Sequence, residues 1–260
     1  MKRIFEWIGG FALIAFSFYF TDRVSLLVAN KSKLMLEIKE VSAEYEEKPT
    51  DAVINKDDNT IIPGKFGKKV NDEESYLNMH DFGSFNENFL IFDYIKPNKS
   101  LEDNKDKYIT KGNPNNRKVS IILEEGSDLE EYFTVQEIPY NIIATKKSTL
   151  TSTKGELING APLETDFKKI HSYLEDEKHI CIKEYSNETM CKKLSYYIVN
   201  PQIHLKNSNI SEIKNQITPG SLILASKNTK LENIILILNE IKYKDLEIVY
   251  ISNLIDEKAS

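Results

Sequence analysis

From Val119 to the C-terminus, short apolar β-type runs alternate with stretches of helical periodicity. Strand character falls on 119–123, 141–144, 179–182, 197–199, 221–224 and 246–250. Helical character falls on 129–136, 163–174, 188–194, 231–242 and 251–257. Such βα alternation leads to a parallel sheet, open or closed into a barrel. A complete eightfold barrel takes about 250 residues, more than 119–257 supplies. The expectation is therefore an α/β fold with a reduced, parallel, barrel-like sheet. Its first strand, V-S-I-I-L, runs straight into E-E-G and places Glu124 and Glu125 at the strand's carboxyl end. Parallel α/β enzymes keep their active sites at that end of the sheet.

The chain ahead of this region divides by texture. Met1 begins M-K-R-I-F-E-W, and an uncharged run extends from Trp7 to Phe20, or from Ile4 if Glu6 is tolerated near an interface. That length is borderline between a signal-peptide core and a membrane span. The run ends on Phe16, Phe18, Tyr19 and Phe20, where signal peptidase needs small residues, so an uncleaved signal-anchor over 1–23 is expected. Residues 24–48 read as a helical stalk that Pro49 ends. Residues 49–118 read as a small, mostly β module and linker: two short strands about a turn at Asp57–Asn59, a short helix at Ser75–Met79, a strand at Phe89–Ile95, then a polar stretch at 99–114. No metal-ligand spacing, phosphate loop or nucleophile motif occurs there.

The formal net charge of −6 argues against nucleic acid as a partner, because a phosphate-binding face needs a basic excess. Cys181 and Cys191 are too few for a disulfide framework; they either pair in an exported chain or serve as two small buried hydrophobes. Tyr185, Tyr196 and Tyr197 are read first as core aromatics and second as a platform for sugar rings.

Several segments in order resemble a known family. V-S-I-I-L-E-E-G is similar to the first motif of the polysaccharide deacetylases, the NodB-homology or carbohydrate esterase family 4 fold, where the strand ends T-F-D-D-G. I-P-Y-N-I-I-A-T resembles the family's next strand. Y-S-N-E-T-M-C-K-K-L-S-Y-Y-I-V resembles the helix and strand after its R-x-P-Y-G motif. P-G-S-L-I-L and the long run from Leu231 to Ile255 resemble its closing strand, helix and strand. The matches span 119–255, and the domain is expected over 119–257. The whole layout looks like the membrane-anchored deacetylase-like proteins of low-GC Gram-positive bacteria.

The resemblance implies a mechanism with a divalent metal on one Asp and two His, a second Asp as base, and a late His for the leaving group. This sequence departs at each point. Glu124 and Glu125 stand at the paired Asp positions. T-S-T-K-G-E-L-I-N-G-A-P-L-E-T contains no histidine where the family has H-x-x-x-H. C-I-K-E-Y replaces R-x-P-Y-G, and Ala225–Ser226 fall at the late histidine. His80 stands alone. His171 and His179 are too far apart for a helical metal pair, and with His204 they do not rebuild a site. Glu124 and Glu125 are not expected to act as a glycosidase pair, since adjacent strand residues point to opposite faces. They are vestigial motif positions, with no catalytic, cofactor or metal site.

The expectation is a membrane-anchored, single-pass, catalytically inactive deacetylase-like protein. Its bulk lies outside the cell, and it acts on the envelope as a binding module for cell-wall glycan or peptidoglycan, or as a scaffold. Two other readings stay open. One is an active hydrolase that removes acetyl groups from cell-wall polysaccharide with zinc or another divalent ion on Glu124 or Glu125. The other is a purely structural envelope protein whose working part is 41–118.

Overall fold

A computed structural model describes residues 10–17, 19, 30–146, 154–174, 178–207 and 210–258. The described chain forms two compact units. One holds the residues up to Pro49 together with Gly67–Ile95; the other holds Thr50–Phe66 and the residues from Lys96 onward. Most of the expected anchor falls outside the described residues. Residues 10–17 are helical and carry exposed Phe11, Leu13, Ile14 and Phe16. Among the described residues no helix is long and apolar enough to cross a membrane.

The smaller unit consists of α1 (Lys33–Tyr45), β3 (Gly67–Val70), α2 (Asp72–His80) and β4 (Phe92–Ile95), with β3 and β4 antiparallel. Ser32 caps α1 by accepting the Met35 amide at 3.1 Å. Asn71 caps α2 by accepting the Glu74 amide at 3.0 Å. Asp72, Glu73 and Glu74 then sit where the α2 dipole favours negative charge. Leu34 and Ile38 of α1 share one core with Val70, Met79 and Leu90. This corrects one expectation. The second half of the expected stalk is a packed helix, because its apolar stripe finds partners in sequence-distant residues. Residues 49–118 themselves hold five short strands and one α-helix, α2.

The larger unit is built on an eleven-stranded sheet. Its members are β1 (Val53–Asn55), β2 (Thr60–Ile62), β5 (Tyr108–Ile109), β6 (Lys118–Leu123), β7 (Asn141–Ala144), β8 (Glu156–Asn159), β9 (Ile180–Ile182), β10 (Tyr197–Val199), β11 (Ile203–Leu205), β12 (Leu222–Ala225) and β13 (Glu247–Ile248). The order is β1-β2-β5-β10-β9-β8-β7-β6-β12-β11, with β13 paired to the start of β6. Every pairing is parallel except that of β1 with β2. The sheet curls into an open half-barrel. Residues 50–66 and 96–118, which the texture of the sequence groups with the small module, supply three of its strands.

Alternation along each strand sorts the side chains. Ile122, Ile143, Ile158, Ile180, Ile182 and Leu224 belong to one core on the concave side. On the other side, Val119, Ile121, Leu123 and Ile223 pack under α3 (Leu129–Val135), α6 (Ile210–Gln216) and α7 (Leu231–Tyr243). Ile142, Cys181 and Ile198 pack under α4 (Glu164–Tyr173) and α5 (Glu188–Lys193). The short elements β8, β11 and α6 were not legible in the sequence. Each has only two or three apolar residues, too few to show a period.

The C-terminal segment closes the amino-terminal end of the half-barrel. Ile251 and Leu254 of α8 (Ile251–Leu254), with Ile255, enter the concave core. The Ile251 amide donates to Asn141 Oδ1 at 2.9 Å. Asn141 Nδ2 donates to Ser120 Oγ at 2.7 Å and to the Ile121 carbonyl at 2.8 Å. Glu257 is 7% exposed, and its two oxygens accept the Gly64 and Leu101 amides, each at 2.9 Å. Burial raises the Glu257 carboxyl above its ordinary value, while the two amide bonds oppose the shift.

Cys181 and Cys191 form a disulfide between β9 and α5, and both are fully buried. The bond closes a loop with a sequence separation of 10. Chain entropy makes such a closure worth roughly 2–3 kcal/mol. The Cys181→Ala/Cys191→Ala variant should lose about that much in urea unfolding at equilibrium.

Glu257→Ala should cost on the order of 2–4 kcal/mol in the same measurement, because two buried amides lose their acceptor. A carboxyl with a raised folded pKa contributes most below its unfolded value and loses that contribution as pH rises through the folded one. Acidification from neutral to about pH 4 should therefore move the stability difference between wild type and Glu257→Gln in favour of wild type.

Candidate functional site at the carboxyl end of the sheet

β6 is buried from Val119 to Leu123 and stops at the first carboxylate. The Glu124 amide still pairs with the Ala225 carbonyl at 3.3 Å. The chain then turns at Gly126, whose φ of +73° suits glycine, and the Ser127 amide bonds back to the Glu124 carbonyl at 3.2 Å. Both acids therefore lie beyond the strand, where the rule of opposite faces no longer applies. This corrects the strand-based geometry: Glu124 and Glu125 line the same cavity, of about 380 Å³. Thr145 and Lys146 follow β7, Tyr185 follows β9, and Lys227 follows β12; all four line the cavity too.

The chain itself supplies hydrogen bonds to both acids. The Tyr185 hydroxyl donates to Glu124 Oε1 at 2.5 Å, and the Lys227 amide donates to Glu124 Oε2 at 2.7 Å. The Thr145 amide donates to Glu125 Oε2 at 3.2 Å, and the Thr145 hydroxyl donates to the same oxygen. Burial and then the Glu124 carboxylate push the Tyr185 phenol well above its ordinary range, so Tyr185 stays a proton donor. The Lys227 side chain passes close to Gly126; a Cβ there would lie 3.3 Å from Nζ.

These residues do not fit a divalent metal. The two carboxylates already accept bonds from the chain, and the remaining polar side chains are a threonine hydroxyl, a phenol and two ammonium groups. Divalent metals of this class need neutral imidazole or free carboxylate ligands. None of the four histidines lines the cavity, and among the described residues no group of three or more His, Cys, Asp or Glu could hold an ion.

The histidines are accounted for elsewhere. His80 lies 3.3 Å from Asp81 on the surface. His171 and His179, separated in sequence, stand side by side with ring centroids 4.9 Å apart. Both pack on Tyr196, whose hydroxyl is 2.9 Å from His171 Nδ1. His204 Nε2 lies 3.0 Å from the Pro201 carbonyl. At the late-histidine position Ala225 is buried, and Ser226 Oγ lies 3.1 Å from Thr229 Oγ1.

The three tyrosines separate. Tyr196 is fully buried, and burial pushes its phenol up to about 12. The Tyr197 hydroxyl donates to Glu102 Oε2 at 2.6 Å. Only Tyr185 reaches the cavity. Thr145, Lys146 and Lys227 were missed in the sequence. Their one signal is position, directly after I-I-A and L-I-L-A-S, since residues that follow parallel strands form the site.

Solved structures share this architecture. Wild-type BA3943 from Bacillus anthracis, described as a CE4 family pseudoenzyme, superposes with a TM-score of 0.59 at 19% identity, over 88% of this chain and 97% of that one. A BA3943 mutant gives 0.60 at 19% identity, over 88% and 100%. A second mutant, described as having restored enzymatic activity, gives 0.59 at 19%, over 87% and 99%. The fold is that of the CE4 deacetylase-like proteins. In sequence, 97 residues are 38% identical to the uncharacterized protein YlxY of Bacillus subtilis (strain 168); the match covers 37% of this chain and 30% of that protein. The chain thus matches less than a third of the length of that relative. No family model matches the sequence.

Within this CE4 fold the Tyr185–Glu124 bond ties the loop after β9 to the end of β6. Tyr185→Phe should therefore destabilise the protein by about 1–2 kcal/mol in urea unfolding, the scale of a hydrogen bond to a charged acceptor at a half-buried site.

Proposed function

We propose that this chain is a catalytically inactive deacetylase-fold protein, anchored in the cell membrane through residues 4–20, with the remainder outside as a module for cell-wall glycan or peptidoglycan. One observation carries the reading. The two acids at the end of β6 are bonded to Tyr185, Thr145 and the Lys227 amide, in a cavity that no histidine lines. Without a metal, the site has no means to make a hydroxide near neutral pH or to polarise an acetamide.

The anchor and the outward orientation draw support from the apolar N-terminal run with its aromatic end. The buried Cys181–Cys191 disulfide adds to this, as such bonds persist in oxidising compartments. The likeness to a CE4 pseudoenzyme is consistent with lost catalysis.

The test is acetate release from chitooligosaccharides and peptidoglycan by the full-length protein purified from the membrane fraction, with its metal content measured in parallel. The expected result is no acetate above background, substoichiometric zinc, and no change in Glu124→Ala/Glu125→Ala. Acetate release that the double variant abolishes would overturn the reading and make one of the two glutamates catalytic.

A further inference from the structure

The cavity at the carboxyl end of β6 keeps binding capacity that its own residues do not use. Both oxygens of Glu124 accept hydrogen bonds from the chain, and Glu125 is bonded to Thr145. The side chains of Lys146 and Lys227 line the same space, and among the described residues neither ammonium is bonded to an acid or a carbonyl. A carboxylate oxygen carries two lone pairs, so Glu124 can still accept a sugar hydroxyl. The two ammoniums are donors only and are best matched by an oxyanion. A neutral sugar would satisfy the acceptors and leave both cations without partners. A divalent cation would face the two ammonium charges.

We infer that this cavity binds a saccharide carrying an acid group, a carboxylate or a phosphate, with Lys146 and Lys227 holding the acid and Glu124 accepting a ring hydroxyl. The inference rests on the reading of the site as non-catalytic and names the class of glycan it takes. Lys227 comes from the turn after β12 and Lys146 from the turn after β7. These strands are the two sheet neighbours of β6, so the cations flank the two acids.

The experiment is a ligand-observed NMR titration of the full-length protein with glucose, glucuronate and glucose 6-phosphate, which differ only at C6. At least one acidic sugar should bind about tenfold more tightly than glucose, and added salt should shrink that preference. Whether glucuronate or the phosphate binds more tightly identifies the acid. Lys227→Met and Lys146→Met should each weaken the acidic sugar about five- to tenfold, and Lys227→Arg should retain most of the affinity. Both lysines are exposed, and equal urea midpoints confirm that the variants fold. Equal affinity for all three sugars, no binding of any, or an acid preference that survives both lysine variants would overturn the inference. None of those outcomes touches the non-catalytic reading, which falls only if acetate is released.

Discussion

β6 holds the larger unit together. Val119, Ile121, Ile122 and Leu123 are buried to within rounding of complete. The strand pairs with β12 on one side and β7 on the other, and takes β13 at its start. A strand with apolar residues on both faces is stable only when both faces are covered. The helices meet that demand on the convex side, and the curl of the sheet, filled by α8 and Ile255, meets it on the concave side. Full burial also means that Ser120 needs a partner, and its hydroxyl donates to the Val249 carbonyl at 2.9 Å while it accepts from Asn141. That network fixes the C-terminal segment beneath the strand. The cavity lined by Glu124 and Glu125 lies at the opposite, carboxyl end.

The same strand sets the chemistry. A buried run cannot continue into charged residues, so β6 ends where Glu124 begins, and the turn at Gly126 brings both acids over the sheet. In the catalytic pattern that the sequence resembles, those positions are a metal ligand and a base. Here they meet a phenol, a threonine and a backbone amide. These donors fix the carboxylates in place. The cavity therefore brings two bonded carboxylates together with a phenol, a threonine and two lysines, and none of the four histidines lines it.

Much of this was legible in order along the chain. The strands at 119–123, 141–144 and 197–199 carry enough β-branched and apolar residues to stand out against their flanks, and they lie where expected. The long helix after Thr229 was legible for the same reason. β8 was not: E-L-I-N, between Gly155 and Gly160, is too short for its alternation to register. β1, β2 and β5 are short and polar-flanked, and only their pairing with β10 joins them to the large sheet. Pairing partners distant in sequence leave no local trace.

What the sequence by itself determined was composition-level and local: the parallel α/β character after Val119, the position of Glu124 and Glu125 at a strand end, and the absence of histidine near any of the family's ligand positions. Tertiary structure decided the rest. It placed α1 in a core, closed the disulfide, set His171 beside His179 around Tyr196, and gathered Tyr185, Thr145 and Lys227 about the two acids. The physical reason is common to all four. Apolar periodicity specifies which face of an element is buried, but the partner across that face is chosen by packing among residues tens of positions away.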